Sequence, residues 1–244
     1  MGRVLSRRME TFVVRLWLPD RPGALGAVAS RIGAVRGDVV GVDILERGAD
    51  RVIDELVVEL PDAELVSLLV AEIAQVDGVD VEDVRPASDH VLDPRLDALE
   101  TAEVLVGAAT VDEVCAQLAA HAVRDFEAQW CVLTGLDVGE SEVSIGDPPD
   151  AAWLRAFVAG SRYSFNAVPR ENSDEQGPDD VAWAPLPTVD RALVLGRKGR
   201  PFRARERRQL AALARIADHR WRQLELVRYP AQARERSTAR RQLA

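Results

Sequence analysis

Apolar residues recur along the chain at two spacings. Positions 12, 14, 16 and 18 are apolar and alternate with their neighbours, which is the period of a β-strand. From Leu25 to Val35 apolar residues recur every three or four positions, as in an amphipathic helix, and Gly37 stands where a helix C-cap belongs. The first third therefore predicts, in order, a strand at 12–18, a helix at 25–35, strands at 39–45 and 52–60, a helix at 65–76 and a strand at 79–84.

These elements follow the order βαββαβ, which is the ferredoxin-like split motif. The turn Arg47-Gly48-Ala49-Asp50 separates two of the strands and predicts a hairpin between them. The stretch from Pro86 to Pro94 is short, polar and bracketed by prolines, as is typical of a domain boundary. We therefore expect an α+β protein whose first domain spans residues 10–87 and is followed by a linker at 88–97.

The second half mixes helical and strand patterns less regularly. Its spacing predicts a domain at 98–227 with an antiparallel sheet and flanking helices, and a disordered basic tail at 228–244. Tyr229-Pro230 is expected to end the last helix. The predicted elements are helices at 96–106, 111–126 and 151–159, strands at 130–134 and 142–145, a loop at 170–180, strands at 181–184 and 191–195, and a helix at 204–227.

Charge is distributed unevenly over the 244 residues. The formal net charge is −9, yet residues 197–244 hold 15 Arg and Lys against 4 Asp and Glu. A dense arginine cluster opens the last predicted helix and can follow a phosphate backbone, but no helix-turn-helix or other nucleic-acid reader accompanies it. A nucleic-acid-associated regulator is therefore the alternative, and a solvated basic face is the plainer interpretation. The cluster comprises Arg203, Arg205, Arg207, Arg208 and Arg215.

Composition excludes several classes of protein. Two cysteines cannot make a disulfide framework or a four-cysteine zinc site, and both fall in apolar patterns that predict buried thiols. No apolar run approaches the ~20 residues that a membrane span needs. Arg15 and Asp20 interrupt the apolar stretch near the N-terminus, so it does not match a secretory signal. We expect a cytoplasmic protein without membrane contact, with its thiols at Cys115 and Cys131 in the core.

The sequence carries no recognisable catalytic motif. Nucleophile-elbow, zinc-protease, Walker and dinucleotide-binding patterns are all absent. Asp54 and Glu55 are adjacent in a predicted strand, so they face opposite sides and cannot pair as acid and base. The three histidines, His90, His121 and His219, have no metal-ligand spacing. We expect no enzyme activity, no metal and no cofactor.

The turn after the first strand carries the most specific motif. Asp20-Arg21-Pro22-Gly23-Ala24-Leu25, set in the βαββαβ order, closely resembles an ACT domain, whose usual signature at this place is Asp-x-Pro-Gly-x-Leu. The resemblance covers about residues 10–87. It implies binding of an amino acid or another small effector, commonly at a dimer interface, and hence a homodimer through this domain.

The chemistry of that turn agrees with a ligand site. A helix N-terminus offers free N–H groups to a carboxylate, Gly23 allows close approach, and Asp20 can accept from an ammonium group. In the plainer interpretation Asp20 is an N-cap and Pro22 a first-turn proline. Some serine-binding members carry polar residues where this chain has apolar Leu18 and Val39, which favours an effector with an apolar side chain. The predicted ligand-binding residues are Asp20, Arg21, Pro22, Gly23, Ala24, Leu25, Val39, Val40 and Gly41.

Residues 98–226 resemble a GAF domain less specifically. The resemblance rests on Ala184-Pro185-Leu186, the segment 191–197, and Phe202 with Glu206 at the start of the last helix. Arg203 replaces the usual serine, and the region 145–180 shows little strand pattern. The resemblance implies an α/β domain with a small-molecule pocket lined by Trp130, Tyr163, Phe165 and Trp183, although aromatic residues are more often plain core.

Together these features predict a small-molecule-sensing bacterial regulatory protein. An amino acid would bind at the ACT-like turn, and the helix after Pro94 would transmit the change to the GAF-like domain. Such coupling requires different affinities for the effector in two states. A ligand-free dimerisation scaffold remains open beside the nucleic-acid alternative.

Overall fold

The computed structural model describes residues 9–88, 94–135, 141–166 and 180–242. The chain has an α+β fold and separates into two units, Met1–Pro94 with Arg203–Arg205, and Arg95–Phe202 with Glu206–Ala244. The break at Pro94 falls inside the linker expected at 88–97. Among the described residues, no helix combines the length and the hydrophobicity that a membrane span requires.

The first unit is a four-stranded antiparallel sheet with two helices. The strands lie in the order β2-β3-β1-β4, which is the ferredoxin-like arrangement that the βαββαβ pattern predicts. Alternate residues of β1, among them Val14 and Leu16, bury one face of the sheet against both helices. The elements are β1 (Glu10–Pro19), α1 (Ala24–Ala34), β2 (Asp38–Arg47), β3 (Arg51–Leu60), a short 3₁₀ turn at Ala63–Leu65, α2 (Val66–Ile73) and β4 (Asp80–Pro86).

Helix α1 ends differently from the prediction. The left-handed residue after the helix is Arg36, with φ of 62°, and Gly37 follows it. The N–H groups of Arg36 and Gly37 donate to the carbonyls of Gly33 and Ile32, which is the Schellman pattern. A Cβ at Gly37 would lie 2.9 Å from Ile32 Cγ2 and 3.0 Å from Leu60 Cδ2. A side chain at position 37 would therefore crowd Ile32 and Leu60, which favours glycine there. The left-handed conformation is adopted by Arg36 and not by Gly37.

The second unit places helices on both faces of an antiparallel sheet with the strand order β6-β5-β8-β7. Buried residues of α3, α4 and α6 form the main core on one face. Leu154 and Val158 of α5 pack against the other face. The elements are α3 (Pro94–Gly107), α4 (Val111–Asp125), β5 (Trp130–Gly135), β6 (Ser141–Ile145), α5 (Ala151–Asn166), β7 (Val181–Leu186), β8 (Arg191–Gly196) and α6 (Ala204–Gln242).

Two helices are longer than their patterns predict. α5 continues past residue 159 to Asn166, and α6 continues through Tyr229 and Pro230 to Gln242, where the sequence predicted a break and a disordered tail. A proline removes one helical hydrogen bond without forbidding helix on both sides of it, so it is a weak stop signal on its own. The segment 136–140, between the predicted strands at 130–134 and 142–145, and most of the predicted loop at 170–180 lie outside the described residues.

Candidate functional site

The N-terminus of α1 has no side-chain cap. Gly23 occupies the N-cap position in the left-handed conformation, with φ of 87°, and no side chain hydrogen-bonds to the cap. No acidic residue lies in the first turn of the helix. The expectation that Asp20 is an N-cap is therefore wrong, because the helix begins three residues later than that role requires. Its first N–H groups keep the partial positive charge that attracts anions.

The predicted turn residues lie at the surface around this helix end. Asp20, Arg21, Pro22 and Gly23 are exposed, whereas Ala24 is buried in the core of the unit. The Asp20 N–H donates to the carbonyl of Asp50 at 3.0 Å, which fixes the turn against the β2–β3 hairpin. A Cβ built on Gly23 meets no atom within 4 Å, so the space above the turn is open. A small group can therefore approach the turn at Gly23.

The second group of predicted site residues lies elsewhere in the same unit. Gly41 pairs with Val57, which pairs with Val13 near the start of β1. The turn follows Pro19, at the other end of that strand. Six residues of extended strand separate the two levels, roughly 20 Å at the usual rise. Val39, Val40 and Gly41 are therefore not brought together with residues 20–25 within one chain.

Strand β2 is an edge strand with an apolar surface. Val40, Val42 and Ile44 are 46%, 44% and 40% exposed, and Leu25 at the start of α1 is 37% exposed. An edge strand also presents unpaired N–H and C=O groups, which favour pairing with another strand. This combination is typical of a surface that is covered by a partner.

Asp54 is a buried carboxylate that the sequence did not indicate as a site residue. It faces Leu16 on β1 and Ile44 on β2, and its neighbours Val52 and Leu56 belong to the core under the helices. Burial raises its pKa, attraction to Arg47 lowers it, and repulsion from Asp20 raises it further. Within the described part of the chain, its buried Oδ1 has no hydrogen-bond partner. The sequence feature that could have indicated Asp54 is an acidic residue at a strand position that faces the core, between Val52 and Leu56.

Glu55 lies on the opposite face from Asp54, as strand alternation predicts. Its Oε1 accepts from Arg15 Nη2 and Arg85 Nη2, both at 2.9 Å. Burial alone would raise the pKa of Glu55, but attraction to Arg15 and Arg85 outweighs it and holds that pKa below its ordinary value. Arg15 is completely buried. These contacts make Glu55, Arg15 and Arg85 a buried charge network on the face of the sheet opposite Asp54.

Two of the aromatic residues proposed for a second pocket, Trp130 and Trp183, pack against one face of the second sheet. Trp130 and Trp183 are half-buried beside Trp153 and Phe157, whose rings stack at 5.2 Å. The ring of Trp130 lies so close over Gly196 that a Cβ there would overlap it. The side chains of Tyr163 and Phe165 lie outside the described residues. The described aromatics therefore act as packing residues around α5.

Both thiols and His121 lie in structural surroundings. Cys115 and Cys131 are buried, and desolvation raises the pKa of both thiols to about 12, so they stay neutral at physiological pH. His121 Nδ1 lies 2.9 Å from the hydroxyl of Thr101, which donates to Asp125 at 2.7 Å and joins α3 to α4. No cluster of three or more metal-ligating side chains occurs among the described residues.

Part of the arginine-rich end is used inside the second unit. Arg197 is buried and donates to the carbonyls of Phe126 and Arg200. Arg207 donates to the carbonyls of Phe202 and Val181 at 3.2 and 3.0 Å. These guanidinium groups serve the fold, which weakens the argument that this end is a phosphate-binding surface.

Comparison with known proteins gives a weak structural likeness and no family. No protein-family model matches the sequence, and no curated protein matches it. The chain is similar to a solved structure described as an unknown protein from Galdieria sulphuraria, with 14% sequence identity and a TM-score of 0.29 over 64% of this chain and 91% of that one. That likeness carries no argument about function, so function is inferred from the geometry of the site.

Proposed function

We propose that this chain is a small-molecule-sensing regulatory protein whose first unit binds an amino acid at the N-terminus of α1. The single observation that supports this most is the uncapped helix end at Gly23, exposed and with open space above it. Its N–H groups and partial positive charge suit a carboxylate. The ACT-like motif at residues 20–25 independently favours the same class of ligand.

The proposal includes a homodimer formed through the β2 edge. Two copies pairing their β2 strands antiparallel, about a two-fold axis, would place the start of one β2 beside the end of the other. Val39, Val40 and Gly41 of the second copy would then lie near the turn of the first. In this arrangement the two groups of predicted site residues form one site across the interface.

The dimer is tested by a single charge on the edge strand. Val42→Lys places an ammonium group on the exposed apolar strip and is expected to convert the dimer to a monomer, because a lysine on an edge strand opposes strand pairing. Leu68→Lys, at a 48% exposed position on α2, is the matched control and should leave the dimer intact. Sedimentation equilibrium gives the mass of each. A wild-type monomer, or a Val42→Lys dimer, contradicts the proposed interface.

Ligand binding is tested by thermal denaturation with the twenty amino acids and common nucleotides. A ligand at 100 times its Kd stabilises the protein by about 2.7 kcal/mol, which moves Tm by several degrees. A shift with one amino acid or a few related ones supports the sensor. A shift only with a nucleotide would move the sensing role to the second unit, and no shift at millimolar ligand would favour a scaffold.

Position 23 then tests where the amino acid binds. Gly23→Asn and Gly23→Asp have nearly the same shape, and both residues tolerate the left-handed conformation better than other side chains. Both are expected to weaken binding by filling the open space. Gly23→Asp should weaken it at least tenfold more, because its charge repels the ligand carboxylate. Equal Kd values for wild type and Gly23→Asp in calorimetry would exclude the turn as the site.

Transmission to the second unit is the regulatory part of the proposal. A ligand that couples two units must bind two states with different affinity. Amide hydrogen exchange with and without the amino acid measures this directly. Protection should change in α3 (Pro94–Gly107) as well as around residues 20–25; a change confined to the first unit would leave binding without regulation.

A further inference from the structure

We infer that Asp54 is the ammonium-binding residue of the site at the α1 N-terminus, so that the site selects amino acids over carboxylic acids without an amino group. The inference rests on the proposed function, since it names the second binding group of the same site. It assigns to Asp54 a role that the turn motif gives to Asp20.

In the part of the chain that the structure describes, the Asp54 side chain is buried without a hydrogen-bond partner for one of its carboxylate oxygens. It is 4% exposed, and its Oδ1 has no hydrogen-bond partner among the described residues. A buried carboxylate oxygen without a donor is costly, because desolvation is not offset by a hydrogen bond. An ammonium group supplies three N–H donors and a compensating charge.

Asp54 lies on β3, which is the neighbour of the edge strand β2. It lies on the helix-covered face of β3, one strand from the edge, opposite the 40% exposed Ile44. Its carboxylate interacts electrostatically with Asp20, the first residue of the turn, and with Arg47 at the end of β2. In the sheet Asp54 pairs with Leu16, three residues before Pro19, so it lies in the half of the sheet that is nearer to the turn.

The N-terminus of α1 and the carboxylate of Asp54 carry opposite charges. The uncapped helix end favours a negative group, and the unpaired carboxylate favours a positive one. A molecule that carries both a carboxylate and an ammonium group satisfies both features at once. Asp20 is exposed and solvated, so it gains less from an ammonium group than buried Asp54 does.

Two pairs of probes test the inference on the full-length protein. The pairs are L-leucine with 4-methylpentanoate, and 6-aminohexanoate with hexanoate, which differ only in the amino group and place it near to or far from the carboxylate. Calorimetry should show the amino form of at least one pair binding ten or more times more tightly to the wild type. Equal Kd values within both pairs would overturn the role of Asp54 while leaving the carboxylate site intact.

Variants then assign the selectivity to one residue. Asp54→Asn should reduce the preference for the amino form to less than about threefold and leave the Kd of the acid without the amino group unchanged. Glu59→Gln, on the opposite face of the same strand, and Asp20→Asn should keep the preference. If Asp20→Asn abolishes it and Asp54→Asn does not, Asp20 is the ammonium-binding residue and the inference is wrong.

The melting temperature of Asp54→Asn without ligand distinguishes a loss of binding from a loss of folding. Because burial opposes the charge on Asp54, Asp54→Asn should melt no lower than the wild type without ligand. A large fall in Tm would show that the carboxylate stabilises the fold and would overturn the inference. Absence of binding by all four probes, together with no shift for any of the twenty amino acids, would contradict both the proposed function and the role of Asp54.

Discussion

Replacing Arg15 with methionine is expected to lower the free energy of unfolding by about 3 kcal/mol, because it removes one of the two arginines that neutralise Glu55 and leaves part of that buried charge uncompensated. Arg15 is fully buried on β1, donates to Glu55 through Nε and Nη2 at 3.0 and 2.9 Å, and lies 3.9 Å from Glu82. Methionine keeps much of the volume, so lost packing contributes little. Urea denaturation followed by circular dichroism measures the change.

An exposed ion pair provides the control for this prediction. Arg31 pairs with Glu72 at 3.1 Å, but its side chain is 43% exposed. Arg31→Met should therefore cost less than about 1 kcal/mol. The double variant Arg15→Met with Glu55→Leu should recover part of the free energy of unfolding that Arg15→Met loses. Glu55→Leu removes the buried negative charge that Arg15 neutralises in the wild type. Similar losses for Arg15→Met and Arg31→Met would show that the buried network contributes no more than a surface pair.

The same network predicts how stability depends on pH. The pKa of Glu55 is lowered in the folded state, so its contribution is fully present above its unfolded pKa and is lost as pH falls through the folded pKa. In Arg15→Met only the attraction to Arg85 remains, so the pKa of Glu55 is higher than in the wild type and the variant loses less stability as the pH falls. The stability difference between wild type and variant should therefore narrow from pH 7 to about pH 4. A constant difference would mean that Glu55 is not the acid concerned.

Gly146→Ala is expected to lower the free energy of unfolding by about 2–5 kcal/mol. Gly146 follows β6 with φ of 73°, a conformation that costs alanine about 1–2 kcal/mol. In addition, its Cβ would overlap the backbone carbonyl oxygen of Gln129, which cannot rotate away, and overpacking of this kind costs typically 1–3 kcal/mol more.

A second glycine separates the two causes. Gly199 has φ of 70°, but a Cβ at this position would meet no atom within 4 Å, so Gly199→Ala tests the strained conformation alone. It should lose only about 1–2 kcal/mol. Thermal and urea denaturation of both variants give the comparison. If the two lose the same stability, the chain around Gln129 relaxes and the overlap is not a real constraint.

The fold class predicted from the sequence is confirmed, whereas the two family resemblances stay predictions. The α+β class and the βαββαβ order are confirmed, because a period of two or 3.6 in apolar positions reports directly which face is buried. The ACT-like and GAF-like resemblances, the effector and the dimer stay predictions. They depend on what the sites bind, and a ligand-free fold is compatible with several answers.

Individual residues show where the sequence signal ends. Alternation placed Asp54 and Glu55 on opposite faces, and the structure agrees, but alternation does not say which acid finds a partner. Glu55 gains Arg15 and Arg85 from strands far away in sequence. Asp54 faces the core, and its Oδ1 finds no hydrogen-bond partner in the described part. Similarly, Gly37 predicted the end of α1, while the left-handed position fell to Arg36.

By itself the sequence determined the order of strands and helices in the first unit and the burial of both cysteines, since these follow from local spacing and hydrophobicity. Only the tertiary structure decided that Gly23 is an uncapped helix start, that Val39–Gly41 lie at the far end of the sheet from the turn, and that Asp54 is buried beside the core. Those properties depend on strand register and on pairs of residues distant along the chain. Local periodicity carries no information about either.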